Sequence, residues 1–136
     1  MATATSTSPA QREPALRNQT VVLIGGSAGI GLETARLANA EGANVILTAR
    51  DPARLERAVR EVGAVASAAF DATDFVRLER FFENLRGPID HVLVTGPGPY
   101  YAPLPEFDFA EARRDLESHL LLPIQIAKNR LEKIER

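Results

Sequence analysis

Gly25, Gly26, Gly29 and Gly31 crowd into one run, Gly25-Gly26-Ser27-Ala28-Gly29-Ile30-Gly31. Glycines this dense leave backbone N–H groups uncovered, and a helix that starts beside them adds the positive end of its dipole. A turn of that kind holds an anion. The expected anion is a dinucleotide pyrophosphate, with Gly25, Ser27, Gly29, Ile30 and Gly31 as its cradle. The competing reading is that the glycines only let a helix pack closely on a sheet. A second group with chemistry is Arg50, about 20 residues beyond the turn, where a carboxylate would hold the ribose hydroxyls of NAD. A guanidinium there offers a planar fork to a 2′-phosphate, so NADP is expected in preference to NAD. The plainer alternative is a surface arginine next to a helix cap. Asp51 is no substitute for the missing carboxylate, because its place before Pro52 is explained by capping alone.

The elements that must position these groups follow from periodicity. Residues 21–24 are apolar and mostly β-branched, which reads as a buried strand. Residues 33–41 read as a helix stopped by Gly42, and residues 44–49 as a second strand. A helix opens at Asp51-Pro52 and ends at Gly63, with Leu55, Ala58, Val59 and Val62 on one side. Residues 64–70 form an alanine-rich third strand. Thr73-Asp74 caps a helix carrying Phe75, Leu78, Phe81, Phe82 and Leu85, and Gly87-Pro88 ends it before a fourth strand at 89–95. Strand and helix alternate throughout, which predicts an α/β domain with a parallel sheet and helices on both faces. Four prolines and two glycines between 96 and 105 exclude regular structure there. From about Phe107 onward the chain is expected to be helical, with Ala112, Leu116, His119, Leu120, Ile126, Leu131 and Ile134 as an apolar stripe and Pro123 kinking or breaking it.

Composition closes off other functions. The 136 residues carry a net charge of −2, which gives no basic field for nucleic acid. Without cysteine, and with only His91 and His119, neither disulfides nor a metal centre is expected. No apolar run is long enough for a membrane. Residues 1–19 are rich in Ala, Thr, Ser and Pro and lack the apolar core of a secretory signal. They read as a flexible leader before a domain at 20–136, and a cytoplasmic location is the default.

The form Gly-Gly-Ser-Ala-Gly-Ile-Gly after an apolar strand resembles the short-chain dehydrogenase/reductase family over residues 20–127, the amino-terminal half of such a protein. The resemblance implies a Rossmann-like three-layer sandwich with sheet order 3-2-1-4. It implies that Asp71 contacts the adenine amino group and that the backbone of Ala72 contacts a ring nitrogen; an Asx-turn without ligand is the alternative. Thr95-Gly96-Pro97-Gly98 stands where the family carries Asn-Asn-Ala-Gly, and only the last glycine matches. Thr95, Gly96 and Gly98 are still expected to border a cofactor, since open α/β sheets bind ligands at the carboxyl ends of their strands. His119 takes the position of the family's active-site Asn, either as a donor or general base or as a packed helix histidine.

The family's catalytic Tyr-x-x-x-Lys is not in this sequence. Tyr100 and Tyr101 are followed four residues later by Leu104 and Pro105, and the lysines are Lys128 and Lys133. Two nucleotide-binding functions are therefore expected. One is the NADP-binding domain of an oxidoreductase. The other is a non-catalytic, truncated or redesigned scaffold that keeps nucleotide affinity and self-associates or binds a protein partner. A pure interaction protein, with the glycine turn serving packing, is a third. The fourth strand as a sheet edge and an uncovered terminal helix predict a homodimer.

Overall fold

The computed structural model describes residues 13–134, with side chains through residue 130. Four parallel strands lie in the order β3-β2-β1-β4. They are β1 (Thr20–Ile24), β2 (Asn44–Ala49), β3 (Ala66–Ala69) and β4 (His91–Val94). Three helices alternate with them: α1 (Gly29–Ala40), α2 (Pro52–Val62) and α3 (Phe75–Asn84). After β4 come α4 (Phe109–Leu116), a π-helical turn (Glu117–Leu121) and α5 (Leu122–Ile134). β1 is central. Its Val22 stands opposite Ile46 on one side and Val92 on the other.

The period-2 rule sorts the apolar strand residues into two cores. Val21, Leu23, Val45 and Leu47 face α1 and α2, packing on Ala35, Ala38, Leu55, Ala58 and Val62. Val22, Ile24 and Ile46 face the other way, onto Leu78, Phe81, Phe82, Leu122 and Ile126. Both faces of β1 are covered, which is why its sequence is a continuous apolar run. The expected three-layer sandwich and its 3-2-1-4 order are both present. Phe82 and Leu78 are fully buried, and each contributes roughly 1.5–3 kcal/mol on burial.

Several boundaries differ from the sequence reading. Gly29 to Leu32 belong to the first turn of α1 rather than to the loop. Ala64 and Val65 lie ahead of β3, which is only Ala66–Ala69. Inside the proline-rich loop, Leu104–Glu106 makes a short 3-10 turn. Residues 15–18 turn back on the domain: Leu16 N–H bonds the Glu41 carbonyl at 3.0 Å, and Leu16 packs on the first core. Most of the expected leader, residues 1–12, lies outside the described residues.

Pro123 does not break the terminal helix. It lacks an N–H and its ring crowds the carbonyl one turn back. The helix widens just before it, where Leu122 N–H reaches the Glu117 carbonyl five residues away. The extra residue shifts the apolar phase, and the expected single stripe splits. Leu122 and Ile126 are buried at 5% exposure, whereas Leu116 and Leu120 are 54% and 52% exposed. The side chains of Leu131 and Ile134 lie outside the described residues. Among the described residues, no helix is long and apolar enough to cross a membrane.

Candidate functional site

Parallel strands bring all four carboxyl ends to one edge of the sheet, and the sequence-predicted residues follow them there. Gly25 comes after β1, Arg50 after β2, Asp71 two residues after β3 and Thr95 after β4. The turn after β1 is fixed by main chain. Gly25 and Gly26 N–H both donate to the Thr48 carbonyl at 3.0 Å. A Cβ on Gly25 would collide with the Thr95 carbonyl, and one on Gly31 with the Gly25 carbonyl. These two glycines are what lets α1, the turn and β4 close on one another. Gly29 is different. A Cβ there would meet nothing, and its φ of +54° is a conformation that favours glycine. The turn is therefore packed on its protein side and open on its outer side.

The amino end of α1 is left without a cap. Ala28 makes no side-chain hydrogen bond to the first turn, and that turn holds no acidic residue. The contrast with the other helices is sharp: Asp51 caps α2, Asp74 caps α3 and Asp108 caps α4. The α1 amides and dipole are thus available to an external anion, beside a half-buried Ser27 and an Ile30 that is 77% exposed.

At the outer end, Asp71 Oδ1 accepts from the Thr73 hydroxyl at 2.7 Å and the Thr73 N–H at 3.0 Å. The Thr73 hydroxyl first, then its N–H and the Arg50 charge, hold the Asp71 carboxyl below its ordinary value, against some burial. The Asx-turn is real, and it uses one carboxylate oxygen. Arg50 is exposed on the adjacent strand end, near enough to act on Asp71, and its guanidinium makes no ion pair among the described residues. Asp51 is a cap, with its carboxylate on the Arg54 N–H at 3.0 Å.

Thr95 turns inward. Its hydroxyl donates to the Gly25 carbonyl at 2.9 Å and its N–H to the Ile24 carbonyl at 2.8 Å. Gly96 and Gly98 stand in open space beyond it. His119 is held by this same loop. Its Nε2 lies 3.1 Å from the Pro97 carbonyl, and its Nδ1 lies 2.9 Å from Asp115 Oδ1. Asp115 also accepts the Tyr100 N–H at 3.2 Å, and the Tyr100 hydroxyl accepts the Asp108 N–H at 2.8 Å. The ring therefore clasps the loop to the helix. Sequence reading missed two parts of this arrangement, the Thr48 carbonyl and the Asp115–Tyr100 pair. The first is main chain and leaves no residue signature. The second joins residues whose contact depends on how a proline-rich loop folds back.

A dinucleotide fits this edge: an open, uncapped helix terminus at the turn, with a guanidinium and a carboxylate further out. The profile of the short chain dehydrogenase family matches residues 19–119. The chain belongs to the short-chain dehydrogenase family. A short-chain dehydrogenase/reductase of Stachybotrys chlorohalonatus is 27% identical over 128 residues, covering 85% of this chain and 51% of that protein. Among solved structures, the citronellol catabolism dehydrogenase of Pseudomonas aeruginosa superposes with a TM-score of 0.80 at 27% identity, over 90% of this chain and 53% of the other. An actinorhodin polyketide ketoreductase solved with NADPH shares the fold, with a TM-score of 0.77 at 24% identity, over 84% of this chain and 46% of that one. This short-chain dehydrogenase domain spans about half, or less, of the length of the curated relatives it matches. It is a Rossmann domain of an oxidoreductase family.

Proposed function

We propose that this domain binds NADP(H) and supplies the cofactor half of an oxidoreductase site. The observation that carries the reading is the uncapped amino end of α1, unlike the Asp-capped starts of α2, α3 and α4, standing over the open Gly29. The pyrophosphate lies on the turn from Gly25 to Gly31. The adenosine end lies toward Asp71 and Ala72, and Arg50 takes the 2′-phosphate through charge-assisted hydrogen bonds. Thr95 keeps the cradle closed, while Gly96 and Gly98 border the cofactor. When bound, the cofactor supplies hydride chemistry; the residues of this chain bind and orient it. With no Tyr-x-x-x-Lys in these 136 residues, no acid–base step is assigned to any of them. His119, tied to Pro97 and Asp115, positions the loop.

A second reading, a non-catalytic nucleotide-binding module that pairs with another copy, is favoured by one specific observation. Leu116, Leu120, Leu121 and Ile124 are exposed on the terminal helix, and β4 has a free edge.

Titration of NADPH and NADH, followed by nicotinamide fluorescence at two salt concentrations, tests the first reading. NADPH is expected to bind more tightly and with stronger salt dependence. Arg50→Glu is expected to weaken NADPH roughly 10- to 100-fold, the worth of hydrogen bonds to a charged group, and to leave NADH nearly unchanged. Equal affinity for the two cofactors in the unmodified protein removes the NADP assignment. Binding of neither leaves the glycines to packing alone.

A further inference from the structure

We propose that the groove between the outer edge of β3 and helix α3 is a docking site for an acidic, extended peptide that adds as a strand beside β3. The groove is lined by Ala66 to Phe70 on one side and by Arg77, Arg80, Phe81, Asn84 and Leu85 on the other. Its volume of about 490 Å³ is within the usual range of ligand sites. It runs down the side of the sheet, and its lining shares no residue with the nucleotide edge.

Three features select the partner. The first is backbone. Among the described residues β3 pairs only with β2, so its other side presents amides and carbonyls together. A small anion answers only the donors, whereas another extended backbone answers both. The second is access. Edge strands are usually guarded by charged side chains, proline or a bulge. Here the strand reads Ala-Ser-Ala-Ala, and nothing bulky or charged on it stands in the way. The third is charge. Arg77 and Arg80 flank the groove and no acidic residue lines it. Arg77 meets Asp74 only through Nε at 3.6 Å, which leaves its terminal nitrogens free of that ion pair. Arg80 makes no ion pair among the described residues.

Spacing then sets the peptide pattern. Arg77 and Arg80 are one helical turn apart, about 5–6 Å between Cβ atoms. In a strand, side chains at i and i+2 share a face and lie about 6.6–6.8 Å apart. The peptide therefore carries Glu or Asp at alternate positions facing α3, and the residues between them point to the opposite face of the sheet.

A fluorescein-labelled, end-blocked peptide of about eight residues alternating Glu with Val provides the test against the full chain. Saturable anisotropy is expected, with amide shifts by NMR confined to residues 66–70 and 77–85. Arg77→Gln with Arg80→Glu is expected to weaken binding roughly tenfold or more. Arg77→Lys with Arg80→Lys is expected to retain most of it. A Lys-for-Glu peptide is expected not to bind. NADPH affinity is expected to stay unchanged in all variants, which separates this site from the nucleotide reading. The proposal is overturned if the Glu peptide does not saturate, if the Gln/Glu variant stays folded and binds equally well, or if the shifts fall elsewhere. Sedimentation showing that β3 pairs with a second copy of this chain would also overturn it.

Discussion

Strands β1 and β4 lie side by side, with Leu23 opposite Leu93, but they are held in different ways. Four of the five β1 residues are buried, and none of the four in β4 is. The helix after β1 buries Gly31, Ala35 and Ala38, whereas α4 buries nothing. Around β1 the geometry is set by close backbone contact, with glycine where a side chain would not fit. Around β4 it is set by hydrogen bonds among exposed or half-exposed groups, the His119–Pro97 and Asp115–Tyr100 contacts. Exposed bonds of that kind open at low free energy, and buried close packing does not. The glycine-turn side of the edge is therefore built into the fold, while the side bordered by the β4 loop is free to adjust.

The largest effect is expected where the backbone contact is tightest. In Gly31→Ala the new Cβ overlaps the Gly25 carbonyl and sits 2.8 Å from Thr95 Oγ1. A main-chain atom in a packed turn cannot move aside cheaply, so a loss of about 3 kcal/mol is expected, with a fall in Tm of roughly 10 °C. Gly29→Ala is its internal control. It meets no neighbour, and it bears only the left-handed backbone cost of about 1 kcal/mol, yet it places a methyl group on the open side of the cradle. It should lose nucleotide affinity more than stability. Equal thermal shifts for the two variants would mean that the turn is not organised by close approach.

Thr95 is where the two regions meet, and its removal should be milder. Thr95→Val keeps the shape and deletes the 2.9 Å bond to the Gly25 carbonyl. About 1 kcal/mol of stability is expected to go with it, read by urea unfolding. A neutral result would place the closure of the turn on the Gly25–Thr48 and Thr95–Ile24 main-chain bonds alone.

The same contrast explains what could be read from sequence. The β1 region was legible because its constraints are written as residue types: an apolar run, glycines, and Asp caps at 51 and 74. The family resemblance supplied the strand order. The terminal helix was legible as a helix but not in its facing. A stripe drawn through Leu116, Leu120 and Ile126 assumes 3.6 residues per turn throughout, and the π turn before Pro123 breaks that phase. The place of Arg50 and Asp71 beyond the ends of β2 and β3 was legible, while the Asp115–Tyr100 clasp arises from loop geometry that no local pattern encodes.

The exposed half of that split stripe predicts an effect on association and little on stability. Leu116→Lys with Leu120→Lys removes apolar surface that is already in water. Unfolding free energy is expected to stay within about 0.5 kcal/mol. If copies pair through this face, sedimentation equilibrium should show a concentration-dependent mass in the unmodified protein and a monomer in the variant. A dimer that survives both substitutions would point to the β4 edge.

The smallest effect belongs to Asp71, and its sign follows from its hydrogen bonds. The Thr73 hydroxyl and N–H, helped by Arg50, lower its folded-state pKa, while the unfolded chain keeps an ordinary value of about 4. The ionised carboxylate therefore contributes its full stabilisation above about pH 4 and loses it as pH falls through the lower folded value. Asp71→Asn keeps an acceptor for Thr73 and removes only the charge. Because the group is largely exposed, the difference at pH 7 should be below about 0.5 kcal/mol, and it should vanish toward pH 3. Arg50→Glu alone, with Asp71 intact, reverses the neighbouring charge, so the carboxylate should protonate at higher pH and the acid limb should begin earlier. An acid limb identical in all three proteins would mean that Arg50 and Asp71 do not sense each other. The outer end of the site would then be two separate side chains on a rim whose shape comes wholly from the backbone around β1.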